Sequence, residues 1–438
     1  FLLQAQTIPG DRHPLRQNRK KLSRRNPPRR RYHLAQLMTG PSFNLRKFTN
    51  PDLLKTIASG RLVGFLDSWR GYLSERGLNF PTDGSDGIDC NALAHILLEP
   101  NASVPKDMID ALYYVDESAS AENMDALLEL AKSRSVPIEH DPQTTAADVA
   151  IQMWLAAPDM LREHHAEAIA FRQKNFLYYG GAHREKRAFP AVNNELRLRI
   201  QAALDDWFEE HRRDRGCHIF LFPRGKKVWI LIRHGLHMRR EASHLKDGKS
   251  GSEFYRPQQH DVLIYDTSSD ELGVHANTKG EVKLYLACLG RLVFGDEKYF
   301  PPADKFTLDP LIKDGANALL CEDIEGLEEI RLVEYRRYWG GAYKEIEIRK
   351  ASDIFAGLAA RGKELGSKGR LVGATFKVKF ADSPKERSLT IRPPGNAKYE
   401  RNEDSELIEV WLANRGFILE PKAAGNDDET PSAVLESA

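Results

Sequence analysis

The spacing of apolar residues changes near Cys217, and that change restricts the chain to a mixed architecture. Before it the period is helical. Thr49-Asn50-Pro51 is a helix start, a capping residue followed by Pro at the first helical position. Leu53, Leu54 and Ile57, then Leu62, Phe65, Leu66, Trp69 and Leu73, recur at three- and four-residue steps. Segments 91–98, 105–117, 121–133, 145–156 and 159–175 repeat the pattern, punctuated by Pro100, Pro105, Pro137 and Pro158. Residues 193–212 add an amphipathic helix with Leu196, Ile200, Leu204, Trp207 and Phe208 on one side.

After Cys217 the segments are short and β-rich, with turn residues between them. Residues 217–222 and 227–233 flank Pro223-Arg224-Gly225-Lys226. Residues 261–266 and 271–276 flank Ser268-Ser269-Asp270. The segment 281–294 reads as helix, 329–338 and 343–349 as strands, and 352–361 as helix. Residues 371–380 and 387–392 form a hairpin around Asp382-Ser383-Pro384; Phe376, Val378 and Phe380 face one side, Lys377 and Lys379 the other. The stretch from Arg392 to Arg401 reads as an exposed loop, followed by a helix at 404–414.

These patterns predict an α+β multi-domain protein, with an all-helical N-terminal domain and then one or two α+β modules of mostly antiparallel sheet. A chain of 438 residues has room for such a series at roughly 100–200 residues per domain. The expected divisions are a basic tail or mis-assigned start at 1–37, a helical domain at 38–175, α+β domains at 176–300 and 301–420, and a loose tail at 421–438. Met38 is the expected true start if the basic segment is a translated upstream region. No apolar run reaches the ~18 residues of a membrane span. Cys90, Cys217, Cys288 and Cys321 form no CxxC pair, which suits reduced thiols in a cytoplasmic protein.

Charge is segregated. Residues 1–37 hold ten Lys/Arg against Asp11 alone. Residues 51–160 hold 18 Asp/Glu and 7 Lys/Arg, a net of −11, whereas 211–260 hold 12 Lys/Arg and 4 Asp/Glu, a net of +8. The whole-chain net of +1 conceals an acidic helical domain joined to a basic β segment.

Arg233-His234-Gly235 at the end of a hydrophobic strand is similar to the phosphate-accepting motif of histidine phosphatases. That chemistry needs a second histidine far downstream, and His275 is the last in the chain. Gly248-Lys249-Ser250 looks like the end of a phosphate-binding loop, but Ser243 stands where the upstream Gly would be. Six of the fourteen histidines and Cys217 fall in 217–275, with His234 and His237 spaced His-x2-His; no second close pair completes a zinc site, and no metal is expected.

The expected function is that of a non-catalytic nucleic-acid-associated accessory protein. Phosphate contacts would come from Arg233, His234, Arg239, Arg240 and Arg256, and from Lys377, Lys379, Arg392, Lys398 and Arg401. DNA or RNA is then one partner, and a protein at the acidic helical domain another. One alternative is a nuclease or related hydrolase in which Asp266, Glu281 and Lys283 hold Mg²⁺ and orient water. Another is a scaffold that binds protein alone. No cofactor is expected unless the nuclease reading holds, which would need Mg²⁺.

Overall fold

A computed structural model describes residues 45–419 apart from 82–86, 102, 183–187, 246–247 and 402–404. The chain divides into 1–44 and 45–438. The expected tails at 1–37 and 421–438 lie outside the described residues.

The first part of the chain is helical, as its period requires. Helices α1 (Pro51–Leu54), α2 (Ser59–Leu66), α3 (Arg70–Glu75), α4 (Cys90–Leu98), α5 (Lys106–Ser118), α6 (Ala121–Ser133), α7 (Ala146–Ala156) and α8 (Pro158–Phe171) enclose Phe48, Phe65, Leu73, Leu112 and Val149. Asn50 caps α1, as its sequence implies. Thr145 and Asp148 form a reciprocal capping box at α7. The second Asp148 oxygen accepts from the Ala58 N–H at 2.9 Å, so one buried carboxylate joins the starts of α2 and α7.

The chain then enters sheet through β1 (Asn175–Gly180), a strand whose sequence carries no clear alternation. Helix α9 (Asn194–Glu210) follows, capped by Asn193. Strands β2 (His218–Arg224), β3 (Lys227–Gly235), β4 (Arg239–His244), β5 (Ser250–Tyr255), β6 (Gln258–Asp266) and β7 (Glu271–His275) come next. After α10 (Lys279–Leu289) and α11 (Asp309–Lys313) the order is β8 (Leu327–Gly340), β9 (Glu345–Lys350), α12 (Ile354–Ala359), β10 (Arg370–Phe380), β11 (Arg387–Arg392), β12 (Asn396–Lys398) and α13 (Ser405–Asn414). The fold is α+β, and every strand pair is antiparallel among the described residues.

Among the described residues ten strands form one sheet in the order β2-β3-β6-β7-β1-β12-β11-β10-β8-β9. It is continuous across residue 300, because β1 pairs with β7 on one side and β12 on the other. The two faces follow from the register. On the first face Phe176, Trp229, Leu231 and Ile264 meet Ala166 and Ala170 of α8, and Phe376, Leu389 and Ile391 meet the α13 side chains Ile408 and Trp411. On the second face α9 and α10 cover Ile219, Ile230, Ile232, Leu263 and Val274 of β2, β3, β6 and β7. Beyond β1 that second face carries Arg336, Thr375, Thr390 and Lys398, which by register point away from the α13 core.

The Gly/Ser-rich stretch 247–252, a flexible loop by its composition, and the expected loop at 392–401 are both partly strand. Ser250–Tyr255 is β5, paired with β4 in a separate two-stranded ribbon. Asn396–Lys398 is β12, wedged between β11 and β1. Strand pairing satisfies its backbone, and Tyr399 and Arg401 are buried rather than exposed. Among the described residues no helix is long and apolar enough to cross a membrane.

Candidate nucleic-acid interface

Among the described residues no helix covers the second face beyond β1, and this half holds a cavity of about 660 Å³. Its floor is small and polar: Gly373 and Thr375 from β10, Ser388 and Thr390 from β11. Cations surround it. Lys377, Arg392 and Lys398, expected from sequence, are joined by Lys174, Arg336, Lys385 and Arg387, against the carboxylates of Glu334, Glu386 and Glu400.

Some of this charge is already paired. Arg336 Nε donates to Glu334 at 3.0 Å, Lys174 Nζ to Glu400 at 2.6 Å, and Lys377 Nζ to the Ser388 hydroxyl at 2.9 Å. Among the described residues neither Arg392 nor Lys398 makes an ion pair. Burial, and then the charge of Arg336, pull the Arg392 guanidinium below its ordinary pKa. Two guanidiniums placed to repel one another are stabilised by a shared anion. Gly373 stands between them in the sheet: a Cβ built there would meet Arg336 Cδ at 3.4 Å, so the Arg336 stem lies over the glycine. Ile348 and Ile346 of the edge strand β9, register partners of Arg336 and Tyr338, are exposed on the same face.

The remaining sequence-derived residues are dispersed. Lys379 is ion-paired to Glu328 at 2.6 Å. Arg239 and Arg240 are exposed on the β4–β5 ribbon, where Arg240 is paired in register with Phe254, itself 67% exposed. Arg256 pairs with Asp214 at 2.5 Å and donates to the Arg212 carbonyl. Arg233 lies on β3 over the Phe220 ring. Arg401 is buried on the first face, against the rings of Tyr399 and Phe176.

His234 is buried beneath α9 and stacks on Phe208 with ring centroids 4.4 Å apart. Its Nε2 is 3.1 Å from Asp261 Oδ2, which also accepts from the Tyr285 hydroxyl at 2.6 Å. Burial, and then Asp261, drive the Tyr285 hydroxyl well above its ordinary pKa. Glu281 accepts from Arg213 at 2.5 Å, and its other oxygen caps α10 through the Thr278 N–H. His234, Asp261 and Glu281 offer ligand atoms within 4.8 Å of one another, the spacing of a metal site. Here Arg213 supplies the positive charge and Tyr285 a proton, so the arrangement is a closed ionic knot.

The three residues of the nuclease reading fall on two elements, Asp266 on β6 and Glu281 with Lys283 on α10. Asp266 ends β6 and accepts from the Ser268 backbone and hydroxyl. Glu281 is held in the knot, and Lys283 is exposed on α10.

Lys174, Arg336, Lys385 and Arg387 are not among the residues that the sequence singles out. Arg336 carries a signal: it alternates with the core residue Tyr335 in a segment that reads as strand. Its neighbourhood with Arg392 carries none, because β8 and β11 meet only through β10.

Fold and groove together define an α+β protein with one helix-covered and one half-open sheet face, the open part cationic. No known family model matches the chain, and no curated protein matches it.

Proposed function

We propose that this protein is a non-catalytic nucleic-acid-associated protein that holds a phosphate backbone on the open half of its sheet. The observation that carries the reading is the convergence of Arg336, Lys377, Arg392 and Lys398 above a Gly/Ser/Thr floor. Phosphate recognition of this kind is electrostatic and tolerant of sequence, and small hydroxyl residues let a backbone approach closely. The exposed β4–β5 ribbon, with Arg239 and Arg240 beside Phe254, is a second contact in the same reading. The acidic helical domain is then left for a protein partner.

The test is a salt titration of the full-length chain with labelled duplex and single-stranded DNA and RNA. Arg336→Glu with Arg392→Glu should weaken binding and flatten the log–log salt slope by about one for each phosphate no longer neutralised. An unchanged slope and affinity would remove the groove from the reading. Weakened binding on reversing Arg239 and Arg240 instead would move the interface to the ribbon.

A further inference from the structure

A second cavity, about 880 Å³, opens on the opposite, first face of the sheet, between α8 and α13. Its two ends differ in chemistry. One is apolar and aromatic, formed by Phe171, Trp229 and Ile264. The other gathers Lys227, Lys305 and Arg401 with Asp266, Glu271 and Glu409.

Most of these charges are paired across elements. Lys305 Nζ lies 2.5 Å from Glu271 and 4.0 Å from the centre of the Tyr178 ring. Burial opposes its charge, yet Tyr178 and Glu271 outweigh that and hold its pKa above the ordinary value. Lys227 reaches Glu409 at 2.8 Å, and the Tyr399 hydroxyl donates to the other Glu409 oxygen at 2.8 Å.

Arg401 is the exception. Its side chain is 4% exposed and lies 4.0 Å from the Tyr399 ring centre and 4.4 Å from that of Phe176. Glu409 stands 4.0 Å from Nη1, beyond hydrogen-bond reach. Among the described residues nothing accepts from Nε or Nη2. Those two N–H groups form the parallel edge of the guanidinium fork that grips a carboxylate or phosphate through two bonds. Buried donors left unmet are costly, and natural structures seldom keep them without a ligand or water.

We infer that the cleft binds a small phosphorylated ring compound of the mononucleotide class, its phosphate toward Arg401 and its ring toward Phe171 and Trp229. The volume lies within the ~300–1,000 Å³ usual for small-ligand sites. The ring compound needs the apolar end and the phosphate the unmet Arg401 donors; inorganic phosphate alone would use only half of the site. This inference does not depend on the nucleic-acid reading, because the two cavities are on opposite faces.

Calorimetry of the full-length chain with AMP, GMP, CMP and UMP, alongside adenosine and inorganic phosphate, tests it. At least one mononucleotide should bind at sub-millimolar concentration, with adenosine and phosphate each at least about tenfold weaker, the scale of one charge-assisted hydrogen bond. Arg401→Lys should weaken that binding by about tenfold or more, and Arg392→Glu on the other face should leave it unchanged. Because a change at buried Arg401 can disturb folding, the unaltered protein is also photolabelled with an azido derivative of AMP and the label mapped. Label on peptides holding Phe171, Tyr178 or Trp229 supports the site. Label confined to peptides of the opposite groove, or no binding by any of the four nucleotides, overturns it.

Discussion

Arg213 and Glu281, 68 residues apart in the chain, meet at 2.5 Å in the interior, where Glu281 is wholly buried and the Arg213 side chain is 9% exposed. Their pairing joins the segment after α9 to the first turn of α10, and His234 stands 4.0 Å from the same Glu281 oxygen. Removing one partner strands a charge away from water.

Arg213→Met should therefore destabilise the protein by about 3–5 kcal/mol, the cost typical of breaking a buried pair from one side. Urea or guanidinium unfolding would measure it as a lower midpoint with an unchanged slope. The double variant Arg213→Met with Glu281→Gln should recover part of the loss, since no unpaired charge then remains. A midpoint equal to that of the unaltered protein would show that the pair contributes little.

Acid sensitivity should come from His165. It lies on α8 against the ring edges of Tyr113 and Tyr114, and among the described residues its Nε2 has no hydrogen-bond partner. Burial, and then Arg172, push its pKa down to about 4. The folded state then keeps it neutral while the unfolded chain takes up a proton near the ordinary value of 6.5. The stability it contributes is present above pH ~6.5 and is lost progressively as pH falls toward ~4, on the order of 3 kcal/mol at most. His165→Phe should flatten the stability curve between about pH 6.5 and 4.5. An unaltered slope would assign the acid sensitivity to other groups. His260 is also held at about 4, by burial and then by Arg233, and adds to the same window.

Thiol reactivity should follow burial. Cys217, before β2, and Cys288, on the inner side of α10, lie in the core that α9 and α10 share with the sheet. Burial, and secondarily Asp205, push the Cys217 thiol far up; burial pushes Cys288 up to about 11. Thiolate is the reactive form, so both should be labelled slowly, at the rate of local opening. Cys90, partly exposed at the start of α4, should react first with iodoacetamide, although burial raises its pKa as well. Equal labelling rates for Cys90 and Cys217, read by peptide mass spectrometry, would contradict this order.

Sequence alone determined what depends on near neighbours. The helices from α1 to α9 follow from apolar spacing, prolines and caps such as Asn50 and Thr145, because a helix closes its hydrogen bonds within four residues. The pairs β2–β3, β6–β7 and β10–β11 follow from alternation around short turns. Tertiary structure decided the rest. Alternation states which residues share a strand face, but not which distant strand lies alongside. So β1 could not be read as the strand that unites the sheet, nor Arg336 as a neighbour of Arg392. Charge was misleading where burial intervened: His234 and Arg401 belong to basic stretches of sequence, yet long-range pairing turns both inward, one into an ionic knot and the other to the wall of a cleft.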